Sequence, residues 1–317
     1  MKKLISLLLI MALLSAPGLT ALAAEPEPVS QMDVQCGASG LVKTESGELL
    51  VTDVYNKCIW KVSSGKSVRY AGAESVEDRS GEPLGGYNDS TFDKCFFGEP
   101  WAISAFLEGW AVSDTSNNAL RLLRNGKVET INASTNDPTL LVKDMGVVYN
   151  HPTGLATDEN GNLYVANTGR GEIIRITPNG QATVYCKDLH EPTGLFWYDR
   201  ALYVAETGAH RVLRVFLGQS QVIAGSGTEG FEDGDAMHAC FASPTGLAVD
   251  KDGTVYVADT ANAAVRRVKD GQVDTLLMPS PGELSTTPVS PRGLLVNRDT
   301  LLVCDTYARA VLALPLS

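Results

Sequence analysis

Apolar and polar residues alternate along this chain in short stretches rather than at helical spacing. The clearest case pairs Leu247-Ala248-Val249 with Val255-Tyr256-Val257-Ala258 across the turn residues Asp252-Gly253. Alternation at period two over four to eight residues, bounded by Gly and Asp, predicts two antiparallel strands joined by a tight turn. A third alternating stretch follows at Val265-Arg266-Arg267-Val268, and a fourth at Val273 to Leu277. The pattern therefore predicts a four-stranded antiparallel unit, whose strands are lettered a to d in chain order.

The unit recurs, and recurrence decides the architecture. Pro244-Thr245-Gly246-Leu247, leading to Ala258-Asp259-Thr260, has copies at Pro152-Thr153-Gly154-Leu155, leading to Asn167-Thr168, and at Pro192-Thr193-Gly194-Leu195, leading to Glu206-Thr207. Weaker copies begin at Ser39-Gly40-Leu41, Pro100-Trp101-Ala102 and Pro291-Arg292-Gly293, leading to Asp53, Asp114-Thr115 and Asp305-Thr306. Dividing the 294 residues after position 23 by six gives 49 each, the size of a four-stranded propeller blade.

These motifs resemble the NHL repeat family over nearly all of residues 36–314, most specifically in the third to fifth copies. The resemblance implies an all-β, six-bladed β-propeller of four-stranded blades, with blades starting near 38, 100, 152, 192, 244 and 291. A further family-like feature is Gly230-x-x-Asp233-Gly234 followed by Phe241 and Pro244, echoed by Gly86-x-x-Asp89 followed by Phe97 and Pro100. The sixth copy stops after strand c, and residues 29–34 have no other repeat position to fill. They are expected to pair with the last blade as its outer strand, closing the ring and removing an exposed edge. A single propeller domain over 24–317, acting as a monomer, is the expected organisation.

Residues 1–23 combine Lys2 and Lys3, an apolar run from Leu4 to Leu14, and Ala21-Leu22-Ala23, the form of a signal peptide cleaved after Ala23. An extracytoplasmic protein is expected, with no later stretch long enough to span a membrane. Loss of the two lysines takes the formal net charge from −11 to −13, which argues against nucleic acid or anionic lipid as a partner. The 30 glycines, 15 prolines and only 7% aromatic residues fit many short elements and turns.

Six cysteines in an exported chain could form three disulfides. Superposing the repeats instead sets Cys304 at the place of Ala258, Cys58 at Ala264, Cys95 at Ala239 and Cys36 at Ala242. These four read as small core fillers. Cys186 in strand d and Cys240 in a loop have no such match.

In such a propeller two rings of side chains surround the channel mouth. The inner ring is the x of Pro-x-Gly: Ser39, Trp101, Thr153, Thr193, Thr245 and Arg292. The second closes strand b: Asp53, Asp114, Asn167, Glu206, Asp259 and Asp305. The second ring has two readings, either acceptors of backbone N–H groups in their own turns or a negative field at the mouth. Asn56, Asn117 and Asn262, three residues further on, suit left-handed turn positions. Trp101 and Arg292 break the Thr pattern and would suit stacking and carboxylate recognition. Against this, Trp101 could pack over the insertion at 73–98 and Arg292 could pair with an Asp.

Enzyme readings were weighed on the same residues. In the peptidylglycine amidating lyases, which share NHL-type repeats, zinc-binding histidines often follow the proline directly, where this chain has Thr153, Thr193 and Thr245. His151 and His190 lack a third ligand. Gluconolactonase-like propellers use Glu, Asn and Asp near the axis, and only Glu99-Pro100-Trp101 is faintly similar. No Gly-x-Ser-x-Gly, His-Glu-x-x-His or phosphate loop occurs. The expectation is a propeller without catalytic residues, metal or cofactor, binding a peptide, protein or small envelope molecule at its channel mouth. The alternative is a metal-dependent hydrolase or lyase using Glu99, Glu206 and Asp259 or the His151/His190 pair.

Overall fold

The computed structural model describes residues 27–28, 36–63, 66–131, 147–278 and 290–316. They form six antiparallel sheets in chain order, each a meander of strands a to d. Their first strands are Ala38–Lys43, Pro100–Phe106, Pro152–Thr157, Pro192–Tyr198, Pro244–Val249 and Pro291–Asn297. The sixth sheet takes its outer strand from the other end of the chain, where Glu27 and Pro28 pair with Ala313 and Leu312. The closing strand thus sits just ahead of the expected segment. Residues 29–34 and the leader-like 1–23 lie outside the described residues.

One core cluster fills each junction between neighbouring blades, six among the described residues. The last of these junctions joins the sixth blade to the first through Cys36, Val51 and Cys58 against Leu302, Cys304 and Val311. The wheel is therefore closed by packing as well as by the N-terminal strand. Cys36, Cys58, Cys95 and Cys304 are fully buried outside any disulfide, and the alanines at the matching places are buried too. Cys186 ends a strand d in the core, and Cys240 lies part-exposed in a loop.

Strand a of each blade is bulged at its Pro-x-Gly start, where the register slips against strand b. The bulge turns the backbone at the axis. There a β-carbon added at Gly40, Gly194 or Gly293 would come within 2.6–2.7 Å of the carbonyl oxygen of Trp101, Thr245 or Ser39 in the next blade. At Gly154 and Gly246 it would overlap the oxygens of Thr193 and Arg292. Glycine is needed here for close backbone approach rather than for an unusual φ.

The insertions 72–98 and 225–243 are held to the outer rims of the second and fifth blades. Val128 N donates to Ser90 O, and Gly234–Asp235 add a short fifth strand beside Gln272–Leu277. Each is pinned by a fully buried arginine from strand c. Arg121 joins Asp89 at 2.6 Å to Asp114 at 2.8 Å, and Arg266 joins Asp233 at 2.5 Å to Asp259 at 2.7 Å. Both guanidiniums lie between two aromatic rings, Tyr87 and Phe97 in one case, Phe231 and Phe241 in the other. The Gly-x-x-Asp signature is thus a clamp, and the 73–98 segment belongs to the blade rim.

Candidate functional site at the channel mouth

Strand b ends in a side chain that reaches back to the segment entering strand a of the same blade. Asp53 Oδ1 accepts the Gly37 N–H at 2.9 Å, Asp114 Oδ1 that of Gly98 at 2.8 Å, and Asn167 Oδ1 that of Asn150 at 2.7 Å. Glu206, Asp259 and Asp305 do the same for His190, Ala242 and Ser290. All six side-chain groups are fully buried. The second oxygens of the five carboxylates are also occupied, for example Asp53 Oδ2 by the Trp60 indole N–H and Glu206 Oε2 by Arg211, while Asn167 donates its Nδ2 to Val148 O and Glu172. Burial pushes the Asp259 carboxyl above its ordinary range, against hydrogen bonds from Asn262, Ala242 and Arg266. This geometry fits the turn-acceptor reading, because these carboxylates sit behind the channel wall rather than at its surface.

The asparagines are one residue out of place. The left-handed positions are Lys57, Asn118 and Ala263, each one step beyond Asn56, Asn117 and Asn262. The asparagines instead donate Nδ2 to the second oxygen of Asp53, Asp114 and Asp259 at 2.7–2.8 Å. A side-chain amide three residues on meets the carboxylate best when the turn stays right-handed up to it.

The inner ring divides into two kinds. Thr153, Thr193 and Thr245 each bond the hydroxyl of the Thr after strand b, at 2.5–2.6 Å. Those outer hydroxyls, on Thr168, Thr207 and Thr260, donate to the Pro192, Pro244 and Pro291 carbonyls of the next blade. Thr153 and Thr193 also lie within hydrogen-bond distance of Thr193 O and Thr245 O, so each shares its single proton between that carbonyl and the neighbouring threonine. Ser39 likewise donates to Trp101 O at 2.8 Å. These hydroxyls latch blade to blade.

Trp101 and Arg292 do something else. They come from the second and sixth blades, yet the guanidinium lies 4.3 Å from the indole centroid, across the position of Ser39. Each packs on the other. Arg292 forms no ion pair among the described residues, and its Nε is buried without a partner. Burial holds its pKa below the usual value for arginine, an effect that the charges of Glu99 and Asp305 offset in part. The pair lines a channel cavity of about 80 Å³ that also has Leu41, Ile103, Leu155, Leu195, Leu247 and Leu294 in its wall.

Three further residues on this face escape a search of Pro-x-Gly positions. Two places after the end of strand b stand Tyr55 and Tyr307 in the first and sixth blades, where the other blades carry Ser116, Gly169, Gly208 and Ala261. Arg309 stacks on Tyr55 at 3.9 Å, and Tyr307 is 77% exposed. Aligning this second turn position would have exposed the departure. His151 and His190 lie on the opposite sector, with His151 Nδ1 bonded to Asn150. Among the described residues no group of three His, Cys, Asp or Glu side chains is placed to hold a metal ion, and no helix is long and apolar enough to cross a membrane.

The sequence profile described as the Teneurin NHL domain matches residues 142–303. Teneurin-3 of Danio rerio is 28% identical over 148 residues, which cover 40% of this chain and 5% of that protein. NHL repeat-containing protein 2 of Gallus gallus is 41% identical over 69 residues, 21% of this chain and 9% of that protein. The chain thus spans under a tenth of the length of these relatives. Among solved structures, virginiamycin B lyase from Staphylococcus aureus superposes with a TM-score of 0.61 at 12% identity, covering 92% of this chain and 99% of that one. That likeness is one of fold.

Proposed function

Because the chain belongs to the Teneurin NHL domain family, a fold whose functions reside in grafted sites, we propose that it is an exported binding propeller. It recognises a peptide, protein segment or small envelope ligand on the sector of the channel face formed by its sixth, first and second blades. The observation that carries this reading is the Arg292–Trp101 stack, which sets a charged and aromatic pair at inner-ring positions where three other blades carry threonine. Tyr55, Arg309 and Tyr307 extend the sector with residue types that dominate binding hot spots. Export rests on Lys2-Lys3, the apolar run to Leu14 and Ala21-Leu22-Ala23. The hydrolase or lyase alternative gains no support from Glu206 and Asp259, whose oxygens are already bonded within the protein.

Trp101→Ala combined with Arg292→Ala is expected to abolish retention of envelope-fraction ligands by the immobilised protein, with the melting temperature nearly unchanged. Undiminished retention overturns the assignment. Stoichiometric zinc, calcium or manganese surviving dialysis, read by elemental analysis, would favour the hydrolase or lyase instead.

A further inference from the structure

The chemistry of the ligand follows from what Arg292 has left to offer. A guanidinium is a planar fork of N–H donors. Here its face is covered by the Trp101 indole and its Nε is buried, so its remaining bonds must be made in its own plane by the two terminal nitrogens. The neighbouring hydroxyls of Ser39, Thr153 and Thr193 are already hydrogen-bonded within the protein. A ligand therefore meets one cationic donor group, beside the Trp101 indole N–H. The wall also carries the ring of Leu41, Ile103, Leu155, Leu195, Leu247 and Leu294 around a space with room for a handful of heavy atoms.

We propose that the channel mouth is a receptor for a carboxylate on a short aliphatic stem, with both carboxylate oxygens on the Arg292 edge and the stem against the leucine ring. The inference rests on the channel face being the binding face. Two parallel N–H···O bonds match a carboxylate, whereas a tetrahedral oxyanion would leave oxygens unsatisfied against leucine. A neutral amide gains no charge-assisted bond. A bound anion also relieves the desolvated charge of Arg292, which Glu99 and Asp305 attract only from beyond ion-pair distance. The same group occurs on a free short-chain acid and at the end of a peptide, and the two sources separate experimentally.

The test is calorimetric titration of the full chain with acetate, propionate, butyrate, propionamide and sulfate. One carboxylate per chain should bind, more tightly from acetate to propionate, with no detectable heat from propionamide or sulfate. Arg292→Gln should weaken propionate by about 10- to 100-fold at unchanged melting temperature, and Arg292→Lys by less. An alanine-terminated tripeptide binding more tightly than propionate, and losing that on C-terminal amidation, identifies the chain end as the source. Binding of the acids alone identifies a free acid. Absence of carboxylate binding, equal binding of sulfate, or propionate binding unchanged in Arg292→Gln overturns the proposal, and the ligand series on the unmodified chain decides should the variants not fold. If carboxylates fail while envelope ligands are still lost from the double variant, only the carboxylate inference falls. If both fail, so does the channel-face reading.

Discussion

The hub has two unlike halves. In the third, fourth and fifth blades the Pro-Thr-Gly-Leu starts repeat and their Thr pairs form a chain of interblade hydrogen bonds. In the sixth, first and second blades the same positions hold Arg292, Ser39 and Trp101, and two of these join each other instead of their neighbours. Both halves close the same ring with the same backbone approach at the axis. What the difference teaches is that threonine is one solution to ring closure. In the second and sixth blades the outer hydroxyls of Thr115 and Thr306 still donate to Pro152 O and Ala38 O, so the latch is kept there without an inner threonine and the inner position can carry a site.

That contrast predicts a graded set of effects. The largest should be independent of it, because Arg121 and Arg266 lie one in each half. Removing either guanidinium leaves a buried Asp114 or Asp259 unpaired, so Arg121→Ala and Arg266→Ala should each cost about 3–5 kcal/mol in denaturant unfolding. A large gap between the two would show that the halves differ in their rims as well as their hub. Next, Thr207→Val in the regular half should cost about 1 kcal/mol by breaking one latch. Arg292→Met in the irregular half should instead stabilise, by up to about 1 kcal/mol, since it removes a desolvated charge without a partner. Equal losses from both would erase the distinction.

The smallest effect concerns pH. Burial raises the thiols of Cys36, Cys58 and Cys304 above the ordinary thiol range, with nearby Asp53 and Asp305 adding to the rise. A group whose pKa is raised on folding stabilises the fold fully below its unfolded pKa and loses that contribution as pH climbs toward the folded value. Stability should fall above pH ~8.5, and Cys304→Ala should remove about 0.8 kcal/mol of the loss between pH 7 and pH 9. The regular half carries Ala258 and Ala264 at the matching places, so its thiol contribution to that slope falls to Cys186, which burial also raises.

Much of this was legible in the chain because a repeat constrains every copy at once. The six blade starts coincide with the first residues of the strands a, and four of the cysteines lie at core positions that other copies give to alanine. Trp101 and Arg292 stood out as departures, but their mutual contact did not. Alignment of repeats gives a residue's place within its blade, whereas that contact depends on how far two side chains reach past an intervening blade. The one-residue error over Asn56, Asn117 and Asn262 has a local cause, since a side-chain amide and a left-handed backbone are two uses of the same residue type. Arg121 and Arg266 were hidden for a third reason. In a strand pattern, a buried arginine looks like an exposed one until its carboxylates arrive from an insertion over 30 residues upstream.

Glu27 and Pro28 lie in one sheet with Ala313 and Leu312, so the two ends of the chain are sewn together. A nascent chain leaving the ribosome can stack its first five blades in turn, yet it cannot finish the wheel until its final strand emerges. Until then the first and sixth blades expose the cysteine-bearing faces that will meet. Anything tethered ahead of Glu27 leaves from the perimeter of the sixth blade, where it would not obstruct the opening at the hub.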